Sequence, residues 1–309
     1  MTTVAEALRD GAERLAPVSD TARLDAELLM AESLSVSRSV VLLWHMGDGA
    51  PDTFEALVER RERHEPIAYI LGRKEFYGLD LEVTPAVLIP RADSETLIEA
   101  ARDAFADRAP HRILDLGTGS GALLLAALSI WPRAEGAGLD RDPEAIFLAL
   151  RNAERTGINP PPDAEEPARE RGRLAKPGIH PSAVGCVGGR ARFLVRDWRK
   201  QGWRDDLGHF DLILCNPPYV EDDARLGRDV RDWEPAGALF AGPEGLDDYR
   251  ILIRQLPELL TEGGVALLEI GATQAEAVSA IAADAGFASD LRHDLAARPR
   301  ALVLRTIGD

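Results

Sequence analysis

The sequence predicts an α/β fold, in which a parallel sheet carries helices on both faces, preceded by a small helical domain. From about residue 91 onward, short apolar runs alternate with helical stretches, as in repeated βαβ units. Residues 1–74 show helical periodicity almost throughout, and residues 75–90 mix aromatic and β-branched residues with turn glycines. We therefore predict a helical domain over 1–74, a β-hairpin linker over 75–90 and an α/β domain over 91–309.

Three helical stretches make up the predicted N-terminal domain. The segment 19–34 opens with Ser19 and Asp20, residue types that cap helices. The segment 35–46 has Ser37 as its cap, and 51–66 begins with a proline and an aspartate, as many helices do. These short helices predict a small bundle.

Seven apolar runs are the strand candidates of the α/β domain. They lie at 111–116, 134–140, 191–195, 211–215, 263–270, 291–295 and 301–305. The segment 159–189 is rich in proline and glycine and has no apolar period, so we predict a flexible, exposed insertion there.

Composition excludes several classes of function. The net charge is −16 and the first 85 residues carry 9 basic and 16 acidic residues, which argues against direct nucleic-acid binding. No apolar run approaches the roughly 20 residues of a membrane span, and the N-terminus has no signal core, so we expect a cytoplasmic monomer without membrane contact. Two unpaired cysteines, Cys186 and Cys215, and six scattered histidines predict neither a disulfide nor a metal site.

The first chemical signal is a glycine-rich turn in ILDLGTGSGALLLAAL (113–128), between an apolar strand and an apolar helix. Glycines let the turn fold tightly and let a ligand approach the free N–H groups of the helix start. Asp115 precedes the turn, and Asp140 closes the next strand, where a carboxylate suits a ribose diol. A tight turn without a ligand would explain the glycines alone, whereas the acids favour a nucleoside cofactor. The predicted binding residues are Gly117, Thr118, Gly119, Ser120, Gly121 and Asp140.

The spacing of these glycines narrows the cofactor class. Their order is G-x-G-x-G, without the second spacer of the nicotinamide fingerprint G-x-G-x-x-G, and no G-K-[ST] ending indicates a P-loop. The pattern resembles the S-adenosylmethionine loop of Rossmann-like methyltransferases. In VRDWRKQ (195–201), after the third strand, Trp198 is a candidate to stack on adenine; alone it would be interpreted as a core aromatic. We refer to Gly117–Gly121 as the glycine loop.

The second chemical signal is Asn216-Pro217-Pro218-Tyr219, which ends the fourth strand candidate, DLILC, and which we name the acceptor turn. Ligands of doubly wound sheets bind at the carboxyl ends of the strands near the switch point, so this turn should neighbour the glycine loop. A proline-rich strand terminator is the alternative interpretation. The predicted position makes that alternative the weaker one.

The residue types of the acceptor turn suit a planar nitrogen acceptor. Such a nitrogen is a weak nucleophile because its lone pair is delocalised. The side-chain carbonyl of Asn216 and the backbone carbonyl of Pro217 can accept its two N–H groups, and the prolines hold these acceptors rigidly. Tyr219 offers a face on which a planar amide or base stacks. We predict Asn216, Pro217 and Tyr219 as catalytic residues, the whole turn as the substrate site, and methyl transfer by in-line displacement without a metal.

Taken together, the chain resembles the peptide chain release factor glutamine N5-methyltransferases, the PrmC/HemK family. The similar segments span nearly the whole chain: RLDAELLMAESL, PIAYILGRKEFYGLDLEVTPAVLIPRADSE (66–95), DLGTGSG, NPPY and WEPAGALFAGPEGLDDYR (233–250). The segments 66–95 and 233–250 are the most specific, since adenine and guanine methyltransferases share NPPY. One departure is Ala92, where the family usually has a proline after the arginine, and another is the long insertion.

The resemblance implies a cofactor, a substrate and a partner. S-adenosyl-L-methionine would bind the glycine loop, Asp140, Trp198 and Asn216. The acceptor turn would grip the side-chain amide of the glutamine in the Gly-Gly-Gln motif of a release factor. The N-terminal helices would dock that release factor, and residues 87–91 would line the cleft.

Two other functions stay open at this stage. A nucleic-acid amine methyltransferase would use the same chemistry, but the N-terminal domain is acidic and no RNA-binding module is recognisable. A non-catalytic cofactor-binding protein would require a damaged site, whereas Asp115, the glycine loop, Asp140 and the acceptor turn are all intact.

Overall fold

The computed structural model of the chain describes residues 2–158 and 190–308. They form two compact units, one made of Met1–Arg73 with Leu226–Glu234 and the other of Lys74–Arg225 with Pro235–Asp309. The insertion predicted at 159–189, with Cys186, lies outside the described residues.

The first unit is a set of short helices. Its helices, numbered along the chain, are α1 (Val4–Leu15), α2 (Ala22–Leu34), α3 (Arg38–Val40) continued by a π-helical turn (Val41–His45), α4 (Thr53–Glu62), α5 (Ile67–Leu71) and the single turn α9 (Arg228–Arg231). Their buried faces meet in a core that includes Val4, Leu8, Leu29, Met30 and Val58. The later segment contributes Trp233, whose Nε1 donates to the carbonyl of Arg63 at 3.3 Å.

The predicted helix starts differ in outcome. Ser37 caps α3 as predicted, because its hydroxyl accepts the N–H of Val40. The predicted cap at Ser19 and Asp20 is wrong: α2 begins later, and the Ser19 hydroxyl accepts the N–H of Thr21 at 3.1 Å in a turn before the helix.

A β-hairpin opens the second unit. Its strands are β1 (Arg73–Phe76) and β2 (Leu79–Glu82), joined by Tyr77 and Gly78, which both have positive φ as a tight hairpin turn requires. The hairpin starts before the predicted range, and residues 83–90 continue without strand structure. That stretch contains prolines at both ends, which cannot donate to a sheet ladder.

The main sheet of the second unit has seven strands. They are β3 (Arg112–Leu116), β4 (Glu135–Asp140), β5 (Ala191–Val195), β6 (Phe210–Cys215), β7 (Leu260–Glu269), β8 (Phe287–His293) and β9 (Pro299–Thr306), in the order β5-β4-β3-β6-β7-β9-β8. All pairs up to β7 are parallel, whereas β9 is antiparallel to both of its neighbours. The predicted Rossmann-like fold and all seven strand predictions are confirmed. The bound predicted for β8 is wrong at its start, because 288–290 are exposed polar or small residues without an apolar pattern.

Helices cover this sheet and complete two apolar cores. They are α6 (Glu95–Ala104), α7 (Ala122–Ile130), α8 (Pro143–Arg155), α10 (Asp247–Leu252) and α11 (Ala275–Asp284), with short 3-10 turns at Ala92–Ser94, Ala236–Ala238 and Ile253–Glu258. Residues of β3 and β6 alternate between the two cores. At the carboxyl end of these paired strands Leu116 faces Cys215. The sheet therefore brings the glycine loop, after β3, beside the acceptor turn, after β6, as predicted.

Candidate active site

A cavity of about 270 Å³ opens at the carboxyl ends of β3, β4 and β6, within the second unit. The predicted site residues that line it are Gly117, Thr118, Gly119, Ser120, Asp140, Trp198, Asn216 and Pro218. Val87, Leu88, Pro90 and Arg91 also line it; that the segment 87–91 borders a substrate cleft, as the family resemblance implies, stays a prediction. Gly121, Pro217 and Tyr219 lie outside the lining.

The glycine loop requires glycine for its backbone conformation. Gly117, Gly119 and Gly121 have φ of +75°, +53° and +85°, a region that side chains with a Cβ rarely adopt. A Cβ on Gly117 would lie 3.3 Å from the ring of Trp198. The loop thus presents bare main chain to the cavity with an aromatic plane against it.

Asp140 is tied to this loop. Its Oδ2 accepts the N–H of Gly119 at 3.0 Å, and its Oδ1 accepts the N–H of Asp142 at 3.0 Å. Burial raises the pKa of Asp140, and these backbone hydrogen bonds act in the opposite direction. Each carboxylate oxygen keeps a further lone pair, so the group can still accept a ribose hydroxyl from the cavity.

Asp115, at the end of β3, stabilises the glycine loop through a hydrogen bond to Thr118. Its Oδ2 accepts the hydroxyl of Thr118 at 2.6 Å, while its Oδ1 is buried without a hydrogen-bond partner. Burial raises the pKa of Asp115 to about 7, although the Thr118 hydroxyl lowers it. A buried carboxylate with a free oxygen is costly, which marks this strand end as a functional position.

Sequence reasoning missed Asp248, which orients Trp198. Asp248 is fully buried in α10, and its Oδ1 accepts Nε1 of Trp198 at 2.8 Å. Its Oδ2 accepts Nη2 of Arg199 at 2.6 Å. In the sequence, an acid in a short helix is usually a solvated residue, so Asp248 was not predicted. Its position in the 233–250 segment was the only signal that could have pointed to it. The site therefore contains a fixed aromatic plane beside an acid, which suits a ligand with a flat base and a diol.

The acceptor turn is held by main-chain and side-chain hydrogen bonds. The N–H groups of Tyr219 and Val220 both donate to the carbonyl of Leu239, at 3.1 and 2.8 Å. Asn216 donates its Nδ2 to Oγ of Ser94 at 3.5 Å. Ser94 was also missed by sequence reasoning, because it lies 122 residues away from its partner.

Tyr219 packs against the core. Its hydroxyl donates to Oε1 of Glu269 at 3.2 Å, and Nε2 of Gln274 donates to its carbonyl at 2.9 Å. Burial, followed by the nearby Glu269 carboxylate, raises the pKa of Tyr219 above its usual value. The ring is thereby anchored next to Asn216, and its stacking on a substrate stays a prediction.

The described residues contain neither a membrane-spanning helix nor a cluster of metal ligands. Across 2–158 and 190–308, no helix is both long and apolar enough to span a membrane. In the same ranges, no three His, Cys, Asp or Glu side chains are grouped so that they could hold a metal ion.

Known proteins match this chain along most of its length. The PrmC N-terminal domain matches residues 6–72, and the ribosomal protein L11 methyltransferase (PrmA) family matches residues 97–170. The release factor glutamine methyltransferase of Rhodospirillum rubrum is 38% identical, over 92% of this chain and 78% of that protein. The protein of the same name from Geobacter sulfurreducens is 37% identical, over 87% of this chain and 84% of that protein. Among solved structures, a protein-(glutamine-N5) methyltransferase (release factor-specific) from Alicyclobacillus acidocaldarius is 23% identical with a TM-score of 0.38, over 74% of this chain and 100% of that one.

Proposed function

Since this chain belongs to the release factor glutamine methyltransferases, we propose that it methylates N5 of the glutamine in the Gly-Gly-Gln motif of peptide chain release factors. The methyl group passes by direct in-line displacement: the N–C bond forms as the S–C bond of the donor breaks, the electron pair of that bond stays on the sulfur as a thioether, and the nitrogen releases a proton to water. The first unit binds the release factor. The enzyme works as a cytoplasmic monomer and does not bind nucleic acid directly.

The residues around the cavity fit S-adenosyl-L-methionine as the methyl donor. When bound, this cofactor supplies an electrophilic methyl group on a sulfonium. Asp140 accepts the ribose hydroxyls, and Trp198, held by Asp248, supplies a face for the adenine. The glycine loop admits the ligand closely because it has no Cβ at its three positive-φ positions. Asn216 lines the same cavity and would contact the cofactor from the side of the acceptor turn.

Asn216 and Pro217 orient the acceptor nitrogen. In an amide the nitrogen lone pair is delocalised, so the reaction requires the N–H groups to be held while the methyl group approaches. Oδ1 of Asn216 and the carbonyl of Pro217 accept these two N–H groups, and Tyr219 stacks on the amide plane. The prolines and the bonds to Leu239 keep the acceptors in place, which reduces the reorganisation needed during transfer.

The observation that supports this proposal most is that Asn216 and Pro218 line the same cavity as Gly117 and Asp140. A turn that only terminated a strand would have no need to face a nucleoside site. A shared cavity is what methyl transfer from a bound donor to an acceptor on this turn would require.

A radiolabelled methyl-transfer assay tests the proposal. The purified enzyme is offered a release factor, the same factor with the Gly-Gly-Gln glutamine changed to alanine, and bulk RNA and DNA. We expect label on the intact factor alone. Label on RNA or DNA would instead identify a nucleic-acid amine methyltransferase, and label on the alanine variant would place the methyl group on another residue.

A further inference from the structure

Gln274 is a buried polar residue that the proposed reaction does not yet use. It lies in the loop after β7, directly before α11, and it is 7% exposed. Since β7 pairs in parallel with β6, this loop and the acceptor turn leave the same edge of the sheet. A buried side-chain amide is unfavourable unless its polar groups find partners, so its contacts indicate what it holds in place.

The hydrogen bonds of Gln274 fix the orientation of its amide. Oε1 accepts the N–H of Gly271 at 3.0 Å, which within an amide side chain only the oxygen can do. Nε2 points the other way and donates to the carbonyl of Tyr219 at 2.9 Å. It also donates, over longer distances of 3.3 and 3.4 Å, to the carbonyls of Gly245 and Glu244. A flipped amide would place its oxygen against three carbonyl oxygens, so this orientation is the one that satisfies the site.

Gly245 allows the close approach of these groups. Its φ is +66°, and a Cβ added there would lie 2.2 Å from the carbonyl oxygen of Tyr219 and 2.8 Å from Nε2 of Gln274. No side chain fits in so little space. The main chain at Gly245, the acceptor turn and the Gln274 amide are therefore in direct contact.

Tyr219 is bound through both of its main-chain polar groups. Its N–H donates to the carbonyl of Leu239 at 3.1 Å, and its carbonyl accepts Nε2 of Gln274. These two partners belong to separate elements, so together they define where the peptide of Tyr219 lies. The two prolines before Tyr219 have a fixed φ, and a shift at Tyr219 is therefore passed along the turn to Asn216.

We propose that Gln274 is a positioning residue, which holds the carbonyl of Tyr219 so that the acceptor turn meets the two N–H groups of the acceptor nitrogen. The acceptors themselves stay Oδ1 of Asn216 and the carbonyl of Pro217. This inference rests on the proposed function, because it assigns Gln274 to the substrate side of the cavity. Without Gln274, the turn keeps its bond to Leu239 but loses the second contact that defines its position.

Gln255 offers a matched control on the cofactor side of the cavity. Its Nε2 donates to the carbonyl of Trp198 at 3.1 Å, and its Oε1 accepts Nε1 of Trp203 at 2.7 Å. Gln255 thus binds the main chain of a proposed cofactor residue, as Gln274 binds that of a proposed substrate residue. If both glutamines only cross-linked segments of the fold, their loss would have the same kind of effect.

The primary test is Gln274→Met, which keeps the length of the side chain and removes its hydrogen-bonding groups. We expect kcat at saturating release factor and cofactor to fall roughly 10- to 100-fold, as misplacement of a reacting group does. The affinity for S-adenosylhomocysteine, measured by calorimetric titration, should stay within about 2-fold of wild type. Gln255→Met should leave kcat within about 2-fold, and any loss should appear in cofactor affinity. Wild-type kcat in Gln274→Met, or a kcat loss of the same size in both variants, would overturn the proposal.

Gly245→Ala disturbs the same carbonyl from another direction and serves as the test if Gln274→Met does not fold. Its Cβ would displace the carbonyl of Tyr219, so kcat should fall again while cofactor affinity is retained. Gly286→Ala carries the same type of backbone strain, at φ +85° with no neighbour within 4 Å, and should keep wild-type kcat. Equal kcat in the two glycine variants would contradict a dependence of turnover on the position of this carbonyl.

Hydrogen exchange gives a readout that does not depend on methyl transfer. The N–H groups of Tyr219 and Val220 both donate to Leu239, so their exchange reports whether the turn stays in place. In Gln274→Met they should exchange faster, while the N–H groups of β3 keep their wild-type rates. Unchanged exchange at Tyr219 and Val220, or equally faster exchange throughout the sheet, would refute the positioning role. Failure of the proposed function would appear differently, as wild-type enzyme that labels no release factor, and the exchange comparison would still decide the role of Gln274.

Discussion

The glycine loop and the acceptor turn follow neighbouring strands, yet they are built from different parts of the chain. The loop works through its backbone: its three glycines have positive φ, and Gly117 and Gly119 line the cavity without a Cβ. The acceptor turn works through side chains, held by Ser94 and Glu269 from other elements. A local sequence can specify the first kind of site by itself, whereas the second kind depends on residues that only the fold brings together. If this division is correct, changes in the two regions should affect different steps.

The largest expected effect separates the two regions at Asn216. We expect Asn216→Ala to lower kcat roughly 100- to 1000-fold, because a single preorganised hydrogen bond to the reacting group is lost. Cofactor affinity should fall far less than kcat, since Asn216 is only one of the residues proposed to hold the cofactor and the glycine loop and Asp140 are untouched. Radiolabel transfer measures the first quantity and calorimetric titration with S-adenosylhomocysteine the second. Equal losses of cofactor affinity and turnover would contradict the separate roles of the acceptor turn and the glycine loop.

Asp140 should show the opposite behaviour. Asp140→Ala removes a proposed charge-assisted hydrogen bond to the ribose and the bonds that Asp140 accepts from the N–H groups of Gly119 and Asp142, so cofactor binding should weaken by roughly 1–3 kcal/mol. Turnover at saturating cofactor should stay near wild type. Asp211→Ala is the control, because Asp211 accepts two backbone N–H groups, at 2.8 and 2.9 Å, at the opposite end of the sheet. If Asp211→Ala also weakens cofactor affinity, the effect of Asp140→Ala comes from general destabilisation of the sheet.

Gly117→Ala tests whether the loop needs its bare backbone. The substitution strains a residue at φ +75° by roughly 1–2 kcal/mol, and its Cβ pushes on Trp198. Gly286→Ala introduces similar strain at φ +85° with no neighbour within 4 Å. Thermal unfolding should show similar losses of stability in both, while titration should show a weaker affinity, roughly 10-fold, only for Gly117→Ala. Equal affinities would mean that the contact with Trp198 is unimportant.

The last expected effect concerns Asp115 and is a dependence on pH. Folding raises the pKa of this carboxyl from its ordinary 3.8 to about 7, so the folded state holds a proton that the unfolded chain has lost. Its contribution to stability therefore falls as the pH rises from about 4 to 7, and then levels off. Asp115→Asn lacks this ionisation and can still accept from Thr118. The melting temperature of the variant minus that of the wild type should grow between pH 5 and pH 8, and a constant difference would contradict the raised pKa.

The same division explains what the sequence predicted and what it did not. The glycine loop was predictable because positive φ demands glycine at fixed local spacing. The acceptor turn was predictable as a turn, because consecutive prolines end a strand. Its supporting residues were not, since Ser94 lies in a one-turn helix and Glu269 completes an apolar strand. Nothing local distinguishes a serine or a glutamate that will be buried by a distant segment.

Helix starts were harder to predict than strands for a related reason. The central strands β3, β6 and β7 are apolar on both sides because helices cover the sheet, which gives a strong signal. In α2, by contrast, Ser19 and Thr21 are both suitable caps. The choice between them depends on the turn that precedes the helix, in which the Ser19 hydroxyl accepts the N–H of Thr21.

The first unit is assembled from two separate stretches of the chain, which affects how it forms during synthesis. Its helices occupy Met1–Arg73, but Leu226–Glu234 also belongs to it, and Trp233 bonds to Arg63 there. During translation the helices leave the ribosome first, while the segment that completes their contacts follows only after the first six strands of the chain and the acceptor turn have been synthesised. The amino-terminal unit of a nascent chain is therefore finished late, and a chain truncated before residue 226 carries helices with an uncovered surface.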